Sequence, residues 1–206
     1  MKNTYILIVF LFSIGVSAQN VIEINADLKL ADSLTYKKEI RIYKGGGITN
    51  YTSLFRMFKD KTKKWVVEFY QHYSKAKTKA KLHTKKRILK PKKDLEFTFQ
   101  NLIRSHVLDL PSEEKIQWKL GTRSELKKIE TIHKGKVIKE YHSTTGKKHI
   151  LDGESFYIQA KGYNLIHEFK YSNPDAYLAY YPHIDELIYM SEILNIIRSE
   201  FEIWGK

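Results

Sequence analysis

The chain has 206 residues, with 36 lysine and arginine against 23 aspartate and glutamate, 42% hydrophobic and 13% aromatic residues, and no cysteine. An apolar fraction near the usual share, with so many aromatic rings, excludes a disordered or collagen-like chain, and the missing cysteine excludes a disulfide scaffold. The formal net charge of +13 directs attention to anionic partners.

At the N-terminus Lys2 precedes an almost wholly apolar run over residues 6–16, which ends in the small residues Val16-Ser17-Ala18. A positive region, an apolar region and a small-residue site, in that order, form the pattern of a secretory signal peptide, here cleaved after Ala18. A spanning helix needs about 20 apolar residues, whereas this run is interrupted at Ser13 and Gly15 and gives way to Gln19-Asn20. The expectation is a signal peptide over residues 1–18 and one exported bacterial domain over 19–206, periplasmic or secreted, with no transmembrane segment after cleavage. Lacking cysteine in a compartment that permits disulfides, that domain must be held by packing alone.

Further along, Glu39-Ile40-Arg41-Ile42-Tyr43 alternates as a strand and runs into Gly45-Gly46-Gly47, read as a flexible turn. Residues 51–58 and 65–73 are rich in aromatic and β-branched side chains, and the polar stretch 59–64 between them suits a hairpin loop. The period then changes. Leu95, Phe99, Leu102, Ile103, His106 and Leu110 recur at steps of three and four, which predicts a helix capped by Asp94 and stopped by Pro111, with His106 as a hydrogen-bonded core residue. Residues 116–121 fit either a short strand or a helical turn closed by Gly121.

Residues 129–141 read as a hairpin turning at Lys134-Gly135, and 155–170 as another turning near Gly162-Tyr163. Asn173-Pro174 begins a short helix whose tyrosines, Tyr171, Tyr177, Tyr180 and Tyr181, pack its side with their hydroxyls reaching water. Leu187, Met190, Leu194, Ile197, Phe201 and Trp204 define a last helix with a broad apolar stripe. Strands in hairpin-sized groups with few, late helices imply an α+β fold. Its sheet is largely antiparallel, built of hairpins and a meander, and packed on one face by two helices near 95–109 and 183–203.

Most of the excess charge sits in one place. Residues 74–93 contain Lys75, Lys77, Lys79, Lys81, Lys85, Lys86, Arg87, Lys90, Lys92 and Lys93 and no acidic residue. In a strand, Lys75, Lys77, Lys79 and Lys81 would all point to one face, about 7 Å apart, a spacing suited to phosphates, sulfates or uronates. Edge strands also carry lysine simply to prevent edge-to-edge pairing. Outside the cytoplasm the partners such a surface meets are lipid headgroups, lipopolysaccharide, acidic glycans or acidic proteins, with nucleic acid disfavoured.

The sequence shows no catalytic, cofactor-binding or metal motif. Ser74/Lys77, Ser112/Lys115 and Ser124/Lys127 have the spacing of penicillin-recognising enzymes, but the companion Ser-Asp-Asn and Lys-Thr-Gly elements are missing. None of the eight histidines forms a His-Glu-x-x-His helix, and His183-Ile184-Asp185 at a helix start reads as a cap. Gly45-Gly46-Gly47 lacks the Gly-Lys-Ser/Thr of a phosphate loop. The expected function is a non-enzymatic binding protein at the cell envelope, using no cofactor, with Lys75, Lys77, Lys79, Lys81, Lys85, Lys86 and Arg87 as its anionic-partner surface. The alternative is an envelope hydrolase with acid and base groups assembled only by the fold.

Overall fold

The computed structural model describes residues 16–46, 49–74, 83–146, 148, 150 and 153–205. In chain order the first elements are α1 (Val16–Asp27), β1 (Glu39–Gly46), β2 (Tyr51–Lys59), β3 (Trp65–Tyr73), β4 (His83–Ile88), α2 (Leu95–Arg104) and α3 (Glu113–Ile116). They are followed by β5 (Thr122–Arg123), β6 (Lys127–His133), β7 (Lys136–His142), β8 (Thr145–Gly146), β9 (Glu154–Gly162), β10 (Leu165–Ser172), α4 (Pro174–Tyr180) and α5 (Asp185–Phe201).

Strands β1 to β4 form a meander, and the β9–β10 hairpin returns to pair with β1, so the sheet runs β10-β9-β1-β2-β3-β4. Every pairing is antiparallel. Strand alternation sends Ile40 and Ile42, Phe55 and Met57, Val67 and Phe69, Phe156 and Ile158, and Phe169 and Tyr171 to one face. There they join Phe99 and Leu102 of α2 and the stripe Leu187, Met190, Leu194, Ile197 and Phe201 of α5 in a single cluster. Each large side chain removed from water here contributes roughly 1.5–3 kcal/mol before the entropy of ordering is charged. The α+β architecture, with its antiparallel meander, is the one the sequence implies.

The other face is covered too, which the sequence does not announce. Helix α1 lays Ile24 against Tyr43, Leu54 and Tyr70. Its Asn25 accepts a hydrogen bond from the Tyr43 hydroxyl at 2.7 Å, and Asp27 lies 2.8 Å from Nε2 of buried His72. The segment over residues 28–38 continues this cover across β1 and β2.

Helix α2 starts where expected, with the Asp94 carboxylate accepting from the Phe97 N–H at 2.9 Å. It stops at Arg104, short of residue 109, because the chain turns through a left-handed His106 at φ 64°. Val107 and Leu110 stay buried by this reversal, while His106 is carried outward; its Nδ1 sits 3.2 Å from the Asp109 carboxylate and its ring against Tyr189. His106 is therefore not a core residue. Residues 116–121, where periodicity leaves strand or helical turn open, are not a strand: they run from the end of α3 into tight turns in which the N–H groups of Lys119 and Leu120 donate to the Ile116 and Gln117 carbonyls at 2.8 and 3.1 Å.

Lys134 and Gly135 turn β6 into β7 with positive φ at both, the geometry that matches strand twist. The β9–β10 turn falls one residue later than expected, at Tyr163 and Asn164, both with positive φ. Gly162 instead ends β9 beneath Phe99, whose ring would lie 3.1 Å from an added Cβ. Nor are Gly45 and Gly46 a flexible turn: they complete β1, pairing with Ser155 and Glu154, and Gly47 lies outside the described residues. Helix α5 has Ile184 at its N-cap position without a side-chain cap, so exposed His183 does not perform that role. Of the tyrosines near α4, Tyr177 and Tyr181 are buried and Tyr171 donates to the Pro111 carbonyl at 2.8 Å, whereas Tyr180 is exposed.

Candidate functional site

Four of the expected anion-binding residues, Lys75, Lys77, Lys79 and Lys81, lie outside the described residues. The other three, Lys85, Lys86 and Arg87, stand on β4, the outermost strand at one end of the sheet, exposed along its whole length. Alternation divides them. Lys86 opposes Tyr70 on the α1-covered face, where its ammonium lies 2.6 Å from the Glu68 carboxylate. Lys85 opposes Gln71 and Arg87 opposes Phe69 on the other face. The Arg87 guanidinium lies 4.9 Å above the Phe69 ring, and the two cations flank a shallow depression of about 260 Å³ floored by Phe69 and Gln71. A cation over an aromatic face is attracted by the ring quadrupole yet keeps N–H donors for an anion.

Lys86 is the outer end of a buried chain of charges. The Glu39 carboxylate, inaccessible to solvent, accepts from Nε of both Arg41 and Arg56 at 2.9 Å and from the backbone N–H groups of Thr35 and Tyr36. Arg56 continues to Glu68 at 3.2 Å, and Glu68 accepts from the Tyr70 hydroxyl at 2.7 Å and pairs with Lys86. Burial alone would raise the pKa of Glu39, but the Tyr36 N–H and the two guanidiniums outweigh it and hold it below the ordinary value. In Glu68 the same opposition is won by the Lys86 and Tyr70 hydrogen bonds. Arg41 also donates to the carbonyls of Ala31 and Ser33, so the network fastens the 28–38 segment onto the sheet. These groups are committed to one another and offer a ligand little.

A second cavity, of about 440 Å³, lies between α1 and the β9–β10 end of the sheet. Val21 and Ile24 form its apolar wall, Tyr43 and Tyr157 contribute rings, and Glu114 and Glu168 are its carboxylates. The Tyr157 hydroxyl donates to Glu168 at 2.6 Å and accepts from the Gln159 amide at 3.2 Å. Burial and the adjacent Glu168 both push the Tyr157 pKa up, so its hydroxyl keeps its proton and works as a donor. Ser112 and Ser155 reach the cleft, and no histidine is among its lining residues within the described chain. Among the described residues there is also no group of three histidine or carboxylate side chains suited to a metal ion.

Compared with known proteins, the chain matches no family model, no curated protein sequence and no solved structure. The basic edge was visible in sequence as a charge run. The buried network and the cleft were not, since the first joins the 28–38 segment to three strands and the second joins α1 to residues distant in sequence, neither through a local motif.

Proposed function

We propose that this chain is an exported, non-enzymatic binding protein of a bacterial cell envelope, and that the basic edge over residues 75–87 is its surface for an anionic partner. The observation that carries this reading is β4 itself: an edge strand, exposed throughout, that presents Lys85 and Arg87 side by side with no acidic residue opposite either. Lys75, Lys77, Lys79 and Lys81, outside the described residues, precede β4 in sequence and extend its run of positive charge. Lys86 does not contribute, because Glu68 neutralises it. The partner is an anionic lipid headgroup, lipopolysaccharide or an acidic glycan, drawn by long-range attraction that weakens with salt. Cleavage after Ala18 is compatible with the fold, since Val21, Ile24, Asn25 and Asp27, through which α1 docks, all follow it.

The alternative, an envelope hydrolase, would draw on Glu114 and Glu168 in the cleft. There the Tyr157 hydroxyl occupies Glu168, which favours the binding reading. The test is titration of the chain over residues 19–206 with anionic vesicles, neutral vesicles and an acidic polysaccharide at two salt concentrations, beside a variant with Lys75, Lys77, Lys79, Lys81, Lys85 and Arg87 changed to glutamine. Salt-sensitive binding that falls about tenfold or more in the variant, without a change in thermal stability, is expected. Equal binding by both proteins would refute the assignment.

A further inference from the structure

The β6–β7 hairpin buries almost nothing. Of residues 127–142 only Ile129 is even half-buried, although a two-stranded ribbon by itself is marginally stable in water. Its composition is mixed in a particular way. Five lysines stand against two glutamates, and large apolar side chains are interleaved with them. The register puts Ile132 opposite Val137, Glu130 opposite Lys139 and Lys128 opposite Tyr141 on one face of the ribbon. Ile132 is 78% exposed, Val137 59% and Tyr141 66%, and all three stand on this one face. Tyr141 lies on the same strand face as Val137, four residues and roughly 13 Å further along. Between them Lys139 and Glu130 are paired at 3.6 Å, and Lys134 and Lys136 stand at the turn.

We propose that this face of the β6–β7 hairpin seats on an anionic phospholipid bilayer, with Ile132, Val137 and Tyr141 in the interfacial layer and the surrounding lysines on lipid phosphates. Three side chains cover a few hundred Å² at most, well short of the roughly 800 Å² per partner that a standard specific protein interface buries. They are enough for a reversible membrane contact, where each basic residue near an anionic surface adds attraction and each apolar side chain adds partitioning. Tyrosine places its ring at the apolar side of that interface and its hydroxyl at the wet side, and lysine stems lie along the apolar layer while their ammonium groups reach out. The hairpin is a different surface from the β4 edge, and this inference does not rest on that one.

The absence of cysteine makes the test direct, because a single introduced thiol can carry an environment-sensitive fluorophore. The probe goes at Val137→Cys, with Tyr163→Cys, at the exposed turn of the other hairpin, as control. Vesicles containing phosphatidylglycerol should raise the emission at position 137 and leave 163 flat, and pure phosphatidylcholine vesicles should raise neither. In unlabelled protein, I132S/Y141S should weaken binding to the anionic vesicles about tenfold or more. K85Q/R87Q should keep the position 137 signal, so failure of the β4 edge and failure of the hairpin are separable. The inference is overturned by a flat signal at 137 on bound protein, by unchanged binding of I132S/Y141S, by no vesicle binding at low salt, or by a rise at 137 that only an acidic protein or polysaccharide produces.

Discussion

Arg41 and Glu39 occupy strand positions that alternation alone would give to solvent, yet neither is accessible. They can be buried because each ionised group has a full set of partners: carbonyls of Ala31 and Ser33 for Arg41, N–H groups of Thr35 and Tyr36 for Glu39, and each other. Removing the acid would leave two guanidiniums facing each other across β1 and β2, where Arg41 is paired with Arg56. Glu39→Ala should therefore cost about 3–5 kcal/mol, the usual penalty for stranding one side of a buried ion pair. Urea unfolding measures it, and a loss below about 1 kcal/mol would show that water enters and re-solvates the site. No sequence rule points to this network, because it is completed by backbone groups of the 28–38 segment, the accepting carbonyls of Ala31 and Ser33 and the donating N–H groups of Thr35 and Tyr36, brought there only by the fold. His106 fails in the opposite direction: its spacing matches the apolar stripe, but one left-handed residue ends the helix before it and turns it outward.

Elements with a strong period were readable to within a few residues. Strands β1 to β3, the two hairpins and α5 each show their pattern over five or more positions, and the turn at Lys134-Gly135 carries its own chemistry. Helix α1 was not readable, since its sequence follows directly on the apolar N-terminal run and one of its two buried described positions is a polar Asn25. The glycines were misread for a related reason. A Cβ at Gly46, where φ is 122°, would lie 2.3 Å from the Gly153 carbonyl oxygen, and one at Gly153 would lie 1.5 Å from the Asn173 amide oxygen. Asn173 has little room to yield, being itself left-handed and bonded through its N–H to the Glu154 carbonyl at 2.8 Å. At Gly45, by contrast, an added Cβ meets only ordinary contacts at 3.6 Å and beyond. Gly46→Ala and Gly153→Ala should each lose about 1–3 kcal/mol, while Gly45→Ala should be neutral within about 0.5 kcal/mol or slightly stabilising. Thermal unfolding of the three variants checks the ordering. Equal stability of all three would remove the close crossing of β1 and β9 as the reason for the glycines.

At the scale of the molecule, the sheet's two edges are closed by different means. On β10, His167 Nε2 lies 2.7 Å from the Leu110 carbonyl, Tyr171 donates to Pro111 and the Ser172 N–H donates to Glu113, so the 110–113 segment covers that side. On β4 the protection is charge, and lysine on an exposed edge both repels a second strand and attracts anions. The concentration of charge was legible in sequence, as was an exposed edge strand as one way to carry it; that one lysine is spent on Glu68 was not. The hairpin β6–β7 stands apart from both edges and from both core clusters, whose members include no residue between 121 and 149. Its base is held by hydrogen bonds between Ser124 and residues 143 and 144. Lys127 and His142 are paired across it, so the chain can be closed there by a short turn. Replacing residues 127–142 with Asn-Gly should consequently shift the melting temperature by less than about 2 °C, as expected for a change that removes no core contact. A drop of many degrees would show that the ribbon packs on the domain, and the exposed face on which the membrane inference depends would then be needed for the fold itself.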